Sequence, residues 1–531
     1  MRNLVITGFM GTGKTSVGEA VARHLSRPFI DMDAEIEARA GKSIRLIFEE
    51  DGEAAFRRLE AALCEKLGER SGLVIATGGG TVVDADNRAA LMRSGQVMCL
   101  TVDPSKVLHR VGDDKARPLL NGPDPEGAVG RLMKDRESAY ATIPWQVETT
   151  GRSIGAVVGE VLNLAEARIL RVTHPSGSYE IAIGSGLLPY VGGTLRALGL
   201  VEGTVVALVS NDRVAPLYAS DVLDSLKDAG LRPFLHVLPD GEAHKRLVTV
   251  RGIYGACLGA GMDRGGAVIA LGGGVTGDIA GFAAATYMRG VRFIPLPTSL
   301  LAMTDASVGG KTGVDLPQGK NLVGAFKQPE RVLIDPEVLR TLPEEELRSG
   351  MAEVIKHGIL GDPVLFEMLA EGPPEGALTL DPALLARSIN VKIEIVEQDP
   401  FEGGRRAILN LGHTAGHALE RISGFSLRHG EAVSIGLVVG SSIAERMDRA
   451  EPGLTDRIAG ALRAWDLPVD CPPYPASSIL EAMTHDKKKR GGRLRWVLPQ
   501  SIGNVALADD VPQALVEEVL IERGAQPDGE S

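Results

Sequence analysis

The stretch Leu4-Val5-Ile6-Thr7-Gly8-Phe9-Met10-Gly11-Thr12-Gly13-Lys14-Thr15-Ser16 decides the fold of the first part of the chain. Its apolar start predicts a buried strand, and residues 15–25 follow with the amphipathic pattern of a helix. The segment between them fits the P-loop pattern, in which glycines let backbone N–H groups close around phosphates. Lys14 places a charge on the β- and γ-phosphate oxygens, and the Thr15 hydroxyl can hold Mg²⁺. The stretch therefore predicts an α/β domain that binds a nucleotide.

The same alternation of apolar runs and amphipathic segments continues outward from this stretch. A chain of 531 residues exceeds one ordinary domain, since domains average about 150 residues. A second α/β rhythm predicts strands at 205–210, 234–238, 267–271 and 293–297, whereas the pattern beyond 333 predicts successive helices. We predict three parts: a P-loop domain with a parallel sheet (1–167), an α/β domain (168–332) and a mostly helical domain (333–527).

Composition and charge exclude several classes of protein. The chain is 44% hydrophobic and 24% charged, which is globular composition, and its net charge of −12 argues against binding nucleic acid. Four scattered cysteines form neither a disulfide framework nor a cysteine-based zinc site. A signal peptide and an apolar run of about 20 residues are both missing, so we expect a cytoplasmic protein without a membrane span.

Candidate acceptor-site residues follow the phosphate loop. Asp31 and Asp33 come after an apolar pair, and on an extended segment they would share one face. One carboxylate would then lie near a metal and the other would bind or deprotonate a hydroxyl, although such a pair alone is more often a solvated turn. The run Gly78-Gly79-Gly80 lets a small ligand lie against bare backbone, and arginine is the natural bidentate partner of a carboxylate. The arginines concerned, each a surface residue by default, are Arg57, Arg117 and Arg136.

Together these motifs resemble shikimate kinase over residues 1 to about 167. The matching segments are Gly8–Thr15, Asp31-x-Asp33 with Ile36-Glu37, Ile47-Phe48, Gly52-Glu53-x-x-Phe56-Arg57, Gly78–Gly80, Arg117-Pro118-Leu119-Leu120 and Arg136-x-x-x-Tyr140. The resemblance implies a nucleoside-monophosphate-kinase-like fold that uses ATP with Mg²⁺. It places shikimate on Asp33, Arg57, Gly79, Gly80 and Arg136, with Asp33 orienting the attacking hydroxyl. It also implies that Arg117 lies on a mobile lid and that Asp31 acts near Mg²⁺ through water.

A second glycine turn, Gly272-Gly273-Gly274-Val275-Thr276-Gly277-Asp278, follows a predicted strand. It contains Gly-x-Gly-x-x-Gly, but no acidic residue stands about 20 positions on at a strand end. A dinucleotide site and a simple tight turn both remain open from this motif alone.

Metal-ligand residues gather in the predicted helical part. His413 and His417 share one helical face, His429 follows, and Glu353 lies on an earlier helix. Three histidines and a glutamate favour a three-ligand catalytic zinc with an open position, and spacing alone selects His413 and His417 as the ligand pair. Nearby basic and amide side chains suggest a phosphorylated, carboxylated substrate; they are Lys311, Lys320, Asn321, Lys356, Lys392, Arg406 and Asn410.

This second set resembles 3-dehydroquinate synthase over about residues 170–527. The matching segments include Asp240-Gly241-Glu242-x-x-Lys245, Gly272–Asp278, Tyr287-x-Arg289-Gly290, Pro297–Leu301, Asp305-x-Ser307-Val308-Gly309-Gly310-Lys311 and Gly319–Leu322. Further along they include Glu353-x-x-Lys356, Arg406-x-x-x-Asn410-x-x-His413-x-x-x-His417, His429-Gly430-Glu431 and Asp486-Lys487-Lys488.

The resemblance implies the cofactors and their residues. It assigns Zn²⁺, or Co²⁺, to Glu353, His413 and His429, which replaces the choice from spacing and makes His417 a substrate or proton-transfer residue. It places NAD⁺ on Asp240, Gly241, Glu242, Lys245, Gly274, Val275, Thr276, Gly277, Asp278, Thr298, Ser299, Lys311, Lys320, Val338, Leu339, Arg340 and Thr341. It places substrate on Asp305, Lys311, Asn321, Lys356, Lys392, Arg406, Asn410 and His417, with Lys487 or Lys488.

The implied substrate is 3-deoxy-D-arabino-heptulosonate 7-phosphate, which is converted to 3-dehydroquinate and phosphate with NAD⁺ acting catalytically. Arg289 is expected to reach the phosphate site of a neighbouring subunit, which implies a homodimer. The sequence thus predicts a bifunctional enzyme. The alternative is a nucleotide-binding regulatory module fused to an NAD- and metal-dependent polyol dehydrogenase, but a neutral alcohol needs no cluster of cationic residues.

Overall fold

The structure is a computed structural model that describes residues 1–111, 124–373, 381–485 and 494–527. The chain forms two units. The first contains Met1–Ala167, Gly186–Thr204 and Ser220–Pro233, and the second contains Arg168–Ser185, Val205–Ala219 and Phe234–Ser531. No helix among the described residues combines the length and the apolar character that a membrane span requires.

A five-stranded parallel sheet, in the order β2-β3-β1-β4-β5, forms the centre of the first unit. Its strands are β1 (Asn3–Gly8), β2 (Phe29–Asp31), β3 (Val74–Ala76), β4 (Gly95–Thr101) and β5 (Trp145–Glu148). Every residue of β1 and β3 is buried, which is why these strands are continuous apolar runs rather than alternating ones. The predicted parallel sheet is therefore present.

Nine helices belong wholly to the described part of the first unit. They are α1 (Lys14–Leu25), α2 (Met32–Ala40), α3 (Ile44–Glu50), α4 (Glu53–Gly68), α5 (Ala85–Ser94), α6 (Pro104–Val111), α7 (Pro125–Tyr140), α8 (Ile154–Ala165) and α9 (Val191–Ala197). Helices α2 to α5 bury apolar faces in one core with the sheet, which includes Met32, Leu63 and Ile75. This packing holds the loops that follow β1, β2 and β3 at one end of the sheet.

The second unit contains a parallel sheet in the order β11-β10-β8-β9 and a three-stranded sheet in the order β14-β7-β6. The strands are β6 (Arg168–His174), β7 (Gly177–Ile183), β8 (Val205–Asn211), β9 (Arg232–Leu238), β10 (Ala267–Gly272), β11 (Arg292–Pro297) and β14 (Arg331–Ile334). Two antiparallel hairpins are formed by β12 (Lys311–Leu316) with β13 (Gly319–Phe326), and by β15 (Trp496–Ser501) with β16 (Asn504–Ala508). Neither hairpin nor the pair β6–β7 was predicted from the sequence.

Helices dominate the chain after β14, as predicted. Helices α10 (Ala215–Asp228), α11 (Leu247–Gly259) and α12 (Gly274–Thr286) accompany the parallel sheet. They are followed by α13 (Glu344–Gly361), α14 (Pro363–Ala370), α15 (Pro382–Gln398), α16 (His413–Ile422), α17 (His429–Arg446), α18 (Leu454–Arg463), α19 (Ala476–His485) and α20 (Gln513–Glu522). The α/β class with a helical last part is confirmed.

Helix α17 is the central helix of this last part, because it is buried over most of its length. Two glycines let it pack directly on its neighbours. A Cβ at Gly430 would lie 1.9 Å from the Ser349 carbonyl oxygen of α13, and one at Gly436 would lie 1.9 Å from the Gly412 carbonyl oxygen before α16. Contacts this close require glycine. The three helices α13, α16 and α17 are thereby held backbone against backbone.

Candidate active sites

The phosphate loop of the first unit lies between β1 and α1, as the sequence predicts. Gly11 and Gly13 have positive φ angles of 75° and 92°, which only glycine adopts without strain. The Thr12 hydroxyl donates to the Phe9 carbonyl at 2.7 Å, and the Lys14 ammonium donates to the same carbonyl at 3.0 Å. The loop is therefore shaped by its own contacts before any ligand binds. Lys14, Thr15 and Ser16 form the first turn of α1, and the N–H groups at the start of a helix favour an anion.

Asp31 connects this loop to the next strand. One of its carboxylate oxygens accepts a hydrogen bond from the Thr15 hydroxyl at 2.7 Å, and the other accepts from the backbone N–H groups of Asp33 (3.0 Å) and Ala34 (3.3 Å). Asp31 thus caps α2, and Asp33 lies in the first turn of that helix. The predicted extended pair is wrong, because an N-cap aspartate ends the strand and starts a helix.

Arg57 and Arg136 lie on either side of the triple-glycine turn. The guanidinium nitrogens of Arg57 lie 3.0 and 3.2 Å from the position of a Cβ on Gly80, so a side chain there would displace them. Arg136 donates to the Gly79 carbonyl at 2.8 Å, and Tyr140 donates to the same oxygen. The bare backbone predicted at Gly78–Gly80 is thus bordered by the two arginines.

One cleft of about 930 Å³ is lined by the phosphate loop, Asp31, Asp33, Arg57, Gly78–Gly80 and Arg136. This volume suits a pair of small ligands. The structure therefore brings together all described residues predicted for this site. Arg117 lies outside the described residues.

Two supporting residues in this cleft were missed by the sequence analysis. Glu60 is 1% exposed, and it accepts from Arg57 and from the Thr81 hydroxyl, both at 2.7 Å. Its spacing of three residues from Arg57 on a helix was the available signal. Arg110 donates to the Thr149 carbonyl at 2.6 Å and lies 3.4 Å from the Gly11 carbonyl oxygen. Nothing in the local sequence of Arg110 indicates that role.

In the second unit, the turn after β10 leads directly into α12. The Thr298 N–H at the end of β11 donates to the Gly272 carbonyl at 3.0 Å, and the Ser299 hydroxyl lies 3.4 Å from the position of a Cβ on Gly273. Lys245 is buried and contacts the Asp278 carboxylate at 2.6 Å and the Asn321 side-chain oxygen at 2.5 Å. Four separate predicted segments therefore meet at this glycine turn. They are the segments that contain Lys245, Gly272–Asp278, Thr298–Ser299 and Asn321.

The remaining predicted NAD⁺ residues form two smaller groups. Asp240 accepts from the Asn211 amide at 2.8 Å, and Glu242 lies 3.5 Å from the Lys320 ammonium. The second group is a short 3₁₀ turn at Pro336–Thr341, whose Thr341 hydroxyl lies 2.6 Å from the Tyr218 hydroxyl. Tyr218 was not predicted.

Glu353, His413 and His429 converge on one point. The Nε2 atoms of His413 and His429 lie 3.6 and 3.4 Å from the same Glu353 carboxylate oxygen. Glu353 is fully buried, and its other carboxylate oxygen forms an ion pair with the Lys356 ammonium. Because each histidine is the first residue of its helix, the close packing of α13, α16 and α17 sets these distances. The donor set of two imidazoles and one carboxylate suits Zn²⁺.

The opposite ring nitrogen of each histidine has its own partner. His413 Nδ1 lies 3.0 Å from the Leu411 carbonyl oxygen, and His429 Nδ1 lies 3.2 Å from the Glu420 carboxylate. Burial and then the Lys356 charge lower the pKa of His413 to about 3, so that it is neutral near pH 7. Burial lowers the pKa of His429 as well, but Glu353 and Glu420 together raise it to about 10.

His417, the other histidine selected by spacing, lies beside this group rather than within it. Its ring centre lies 4.9 Å from that of His413, but the group of possible ligands that contains His417 includes Glu420 and His429 and does not include Glu353. His429 belongs to both groups, and its Nε2 faces Glu353. The geometry therefore favours the set implied by the family resemblance.

Three buried cations surround this point. Lys356 pairs with Glu353 and donates to the Leu409 carbonyl at 2.9 Å, and Lys392 contacts Asp305 at 2.5 Å. Arg406 is 2% exposed and donates to the Pro400 carbonyl at 3.0 Å. Such a concentration of positive charge fits an anionic substrate.

The other predicted substrate residues lie in less buried positions. Lys311 forms an ion pair with Glu402, a residue that the sequence analysis missed, and Asn410 is exposed. Arg289 is also exposed, in a turn with a positive φ of 68°. Lys487 and Lys488 lie outside the described residues.

Three family models match the chain in succession. Residues 10–166 match shikimate kinase, residues 235–349 match the N-terminal part of 3-dehydroquinate synthase, and residues 350–489 match its C-terminal part. The 3-dehydroquinate synthase of Synechocystis sp. is 42% identical over 364 residues, which are 67% of this chain and 99% of that protein.

Solved structures give a consistent result for the second unit. A 2-deoxy-scyllo-inosose synthase complexed with carbaglucose-6-phosphate, NAD⁺ and Co²⁺ aligns with a TM-score of 0.59 at 25% identity, over 67% of this chain and 100% of that one. A 2-epi-5-epi-valiolone synthase from Streptomyces hygroscopicus with NAD⁺ and Zn²⁺ bound aligns with a TM-score of 0.58 at 28% identity, over 67% of this chain and 98% of that one.

Proposed function

The chain belongs to the 3-dehydroquinate synthase family and carries a shikimate kinase domain, and from this premise we propose how its residues carry out the two reactions. The first is ATP-dependent phosphorylation of shikimate. The second is conversion of 3-deoxy-D-arabino-heptulosonate 7-phosphate to 3-dehydroquinate and phosphate. The observation that carries the proposal is the assembly of two residue sets, one in each unit, among the residues that the structure describes. We keep the three-part division at 167/168 and 332/333 as part of this proposal.

In the kinase, the phosphate loop binds ATP and the acceptor lies in the same cleft. Lys14 and the first turn of α1 hold the β- and γ-phosphates, while Arg57 and Arg136 bind the shikimate carboxylate. Asp33 lies in the same cleft, and one of its carboxylate oxygens lies 2.7 Å from the position of a Cβ on Gly78. It orients the attacking hydroxyl and takes up its proton. We assign closure over the phosphates to Arg117.

Thr15 and Asp31 offer the oxygen donors that Mg²⁺ prefers, 2.7 Å apart beside the phosphate loop. We propose that Thr15 holds the ion directly and that Asp31 acts through water. Mg²⁺ neutralises phosphate charge during transfer. Asp31 also caps α2, so that the same carboxylate fixes the position of the helix that carries Asp33.

In the synthase, the residue set fits both implied cofactors. The glycine turn at 272–274 leaves bare backbone at the start of α12. One carboxylate oxygen of the buried Glu353 faces the Nε2 atoms of His413 and His429, and this donor set suits a metal ion. We assign NAD⁺ to the turn and its neighbours, and Zn²⁺ or Co²⁺ to Glu353, His413 and His429. Bound there, NAD⁺ supplies a reversible hydride acceptor and the metal supplies Lewis acidity.

The chain's own residues bind and orient the substrate. We propose that Lys356, Lys392 and Arg406 hold its anionic groups, because all three are almost fully buried beside Glu353 and Asp305. Asn321, Asn410 and Lys311 complete the contacts, with Lys487 or Lys488. His417 lies at the exposed side of the histidine group and moves protons to and from the substrate.

Two single substitutions separate the activities. Lys14→Ala should abolish phosphorylation of shikimate, because it removes the charge that binds the phosphates, and should leave heptulosonate cyclisation intact. His413→Ala should do the reverse, because it removes a metal ligand. Both activities are measured on the full-length chain, with circular dichroism to verify folding. Loss of both activities in either folded variant would overturn the two-site proposal, and net NADH production from a polyol would favour a dehydrogenase.

We propose that the chain acts as a cytoplasmic homodimer in which Arg289 completes the synthase site of the partner subunit. Arg289 and its neighbour Met288 both have positive φ angles, of 68° and 49°, and strain of this kind is typical of functional positions. Apolar side chains of helix α11 are also exposed, at Leu247 (47%), Val248 (61%) and Leu258 (63%). A second copy of the chain would cover them.

Subunit mixing tests this arrangement. Arg289→Ala and His413→Ala chains should each lack most synthase activity when alone. A mixed dimer contains one site with an intact metal set and an intact partner arginine, so exchange of subunits should restore activity. Mixtures that stay inactive, while sedimentation shows that heterodimers form, would contradict the proposed role of Arg289.

A further inference from the structure

The first unit extends beyond the shikimate kinase match. That match ends at residue 166 and the synthase match begins at 235, yet residues 186–204 and 220–233 pack as part of the first unit. Because the alignment with the Synechocystis sp. synthase covers 67% of this chain, it includes this stretch. Residues of the synthase part are therefore built into the first unit.

The stretch covers the edge strand β5. Tyr190 is buried, and its ring packs edge-on against Trp145 with 5.7 Å between ring centres. At the start of α9, a Cβ on Gly193 would lie 2.6 Å from the Pro144 carbonyl oxygen, so the two backbones are in direct contact. These contacts close the end of the sheet with residues from outside the kinase match.

Tyr190 is also the first member of a chain of polar contacts. Its hydroxyl donates to the Glu160 carboxylate on α8, and the same carboxylate forms an ion pair with Arg152. Burial, followed by Glu160 itself, raises the pKa of Tyr190 well above its usual range, so the hydroxyl remains a donor. Arg152 donates in addition to the Glu148 carbonyl at 3.0 Å. Its guanidinium is thus fixed from two sides.

Arg152 lines the kinase cleft next to the phosphate loop. It shares this part of the cleft with Arg110, Thr149 and Ile154. Arg110 contacts the Gly11 carbonyl of the loop, which shows that this end of the cleft continues from the phosphate site. The acceptor residues Arg57 and Arg136 lie instead beside the triple-glycine turn. The nucleoside of a phosphate-bound ATP therefore extends toward Arg110 and Arg152.

We propose that Tyr190 and Glu160 are positioning residues that hold Arg152 against the nucleoside of bound ATP, so that a residue of the synthase part of the chain supports the kinase's nucleotide site. This inference rests on the kinase function proposed above. A planar guanidinium stacks on a purine or donates to ribose oxygens only when its orientation is fixed. Because 33% of the Arg152 side chain is exposed, orientation depends on Glu160, and Glu160 in turn is anchored by Tyr190.

The test uses the full-length chain and measures the ATP dissociation constant together with KM for ATP and for shikimate. Tyr190→Phe should raise both ATP constants about threefold and leave KM for shikimate unchanged, since one hydrogen bond contributes about 0.5–1.5 kcal/mol. Arg152→Ala should raise them further. Adding Tyr190→Phe to Arg152→Ala should cause no additional loss, because the tyrosine acts through the arginine.

Tyr287→Phe is the matched control, since this buried tyrosine also donates one hydrogen bond, to the Met262 carbonyl at 2.8 Å, but lies in the second unit. It should leave ATP binding unchanged. Unchanged ATP affinity in Tyr190→Phe would overturn the proposal. An equal loss of ATP and shikimate affinity in Tyr190→Phe would also overturn it. A further loss of ATP affinity when Tyr190→Phe is added to Arg152→Ala would do the same. A wild-type chain that binds ATP without phosphorylating shikimate would instead contradict the kinase function.

Discussion

Glu420 illustrates how one side chain sets the chemistry of another. It lies 3.2 Å from His429 Nδ1, while His429 Nε2 faces Glu353 at 3.4 Å. A carboxylate that accepts from one ring nitrogen fixes the tautomer and makes the other nitrogen a better ligand. Glu420 therefore supports the metal set without belonging to it.

We expect Glu420→Gln to weaken binding of Zn²⁺ by about 10- to 100-fold, the effect typical of losing such a partner. The dissociation constant is measured by competition with a chelator of known affinity. Glu518→Gln is a suitable control, because Glu518 forms only an exposed ion pair with Arg446. An unchanged Zn²⁺ affinity in Glu420→Gln would show that the tautomer of His429 is fixed by other means.

At this scale the sequence predicted residues in continuous motifs better than residues joined by packing. Lys14 and Thr15 follow from the P-loop pattern alone. Helical spacing selected His413 and His417, because they share a face, but the structure pairs His413 with the first residue of a different helix. Glu60 and Tyr190 were missed because their partners are other side chains, and a local pattern does not show which side chains meet.

At the scale of elements, close packing of helices α13, α16 and α17 determines where the metal ligands lie. Gly436 contacts the backbone of Gly412, immediately before His413, and Gly430 contacts Ser349 and follows His429. A wider separation of these helices would move both histidines away from Glu353. The site therefore depends on the absence of two side chains.

Gly436→Ala should lower synthase activity and Zn²⁺ affinity by at least tenfold, because its Cβ would lie 1.9 Å from a carbonyl oxygen. Kinase activity should be retained. Gly440→Ala is the control on the same helix, since its nearest atom would be 3.7 Å away, and alanine there should be neutral or slightly stabilising. The readouts are chelator competition and thermal unfolding. Equal behaviour of the two variants would contradict this account.

Buried elements were predicted well and exposed ones poorly. Strands β1, β8 and β10 are buried throughout and mostly apolar, so their composition alone identifies them. The hairpin β12–β13 was missed because most of β13 is exposed or half-buried, and its polar residues Lys320 and Asn321 gave no strand pattern. The turn at Asp31 was misjudged for a related reason, since a capping aspartate and a strand-end aspartate look alike in sequence.

For the whole molecule, ligands should stabilise the two units separately. The proposed metal ligands lie on three helices, so we expect the metal to bind only the folded second unit, and we expect ATP to require the folded first unit. A ligand at a concentration 100 times its dissociation constant raises the free energy of unfolding by about 2.7 kcal/mol. Zn²⁺ with NAD⁺ should raise the midpoint temperature of the second unit's calorimetric unfolding transition by several degrees. ATP with shikimate should raise the midpoint temperature of the first unit's transition. A common shift of a single transition would indicate that the units unfold together.

The chain passes between the two units at 167/168, 185/186, 204/205, 219/220 and 233/234, rather than once. No single break in the coding sequence therefore separates complete units. Separation of the chain at 167/168 would leave Trp145 without the ring of Tyr190 that packs against it. It would also give a synthase whose residues 186–204 and 220–233 lack the partners that they have in the first unit. Packing thus links the two activities genetically, and this link needs no transfer of intermediates.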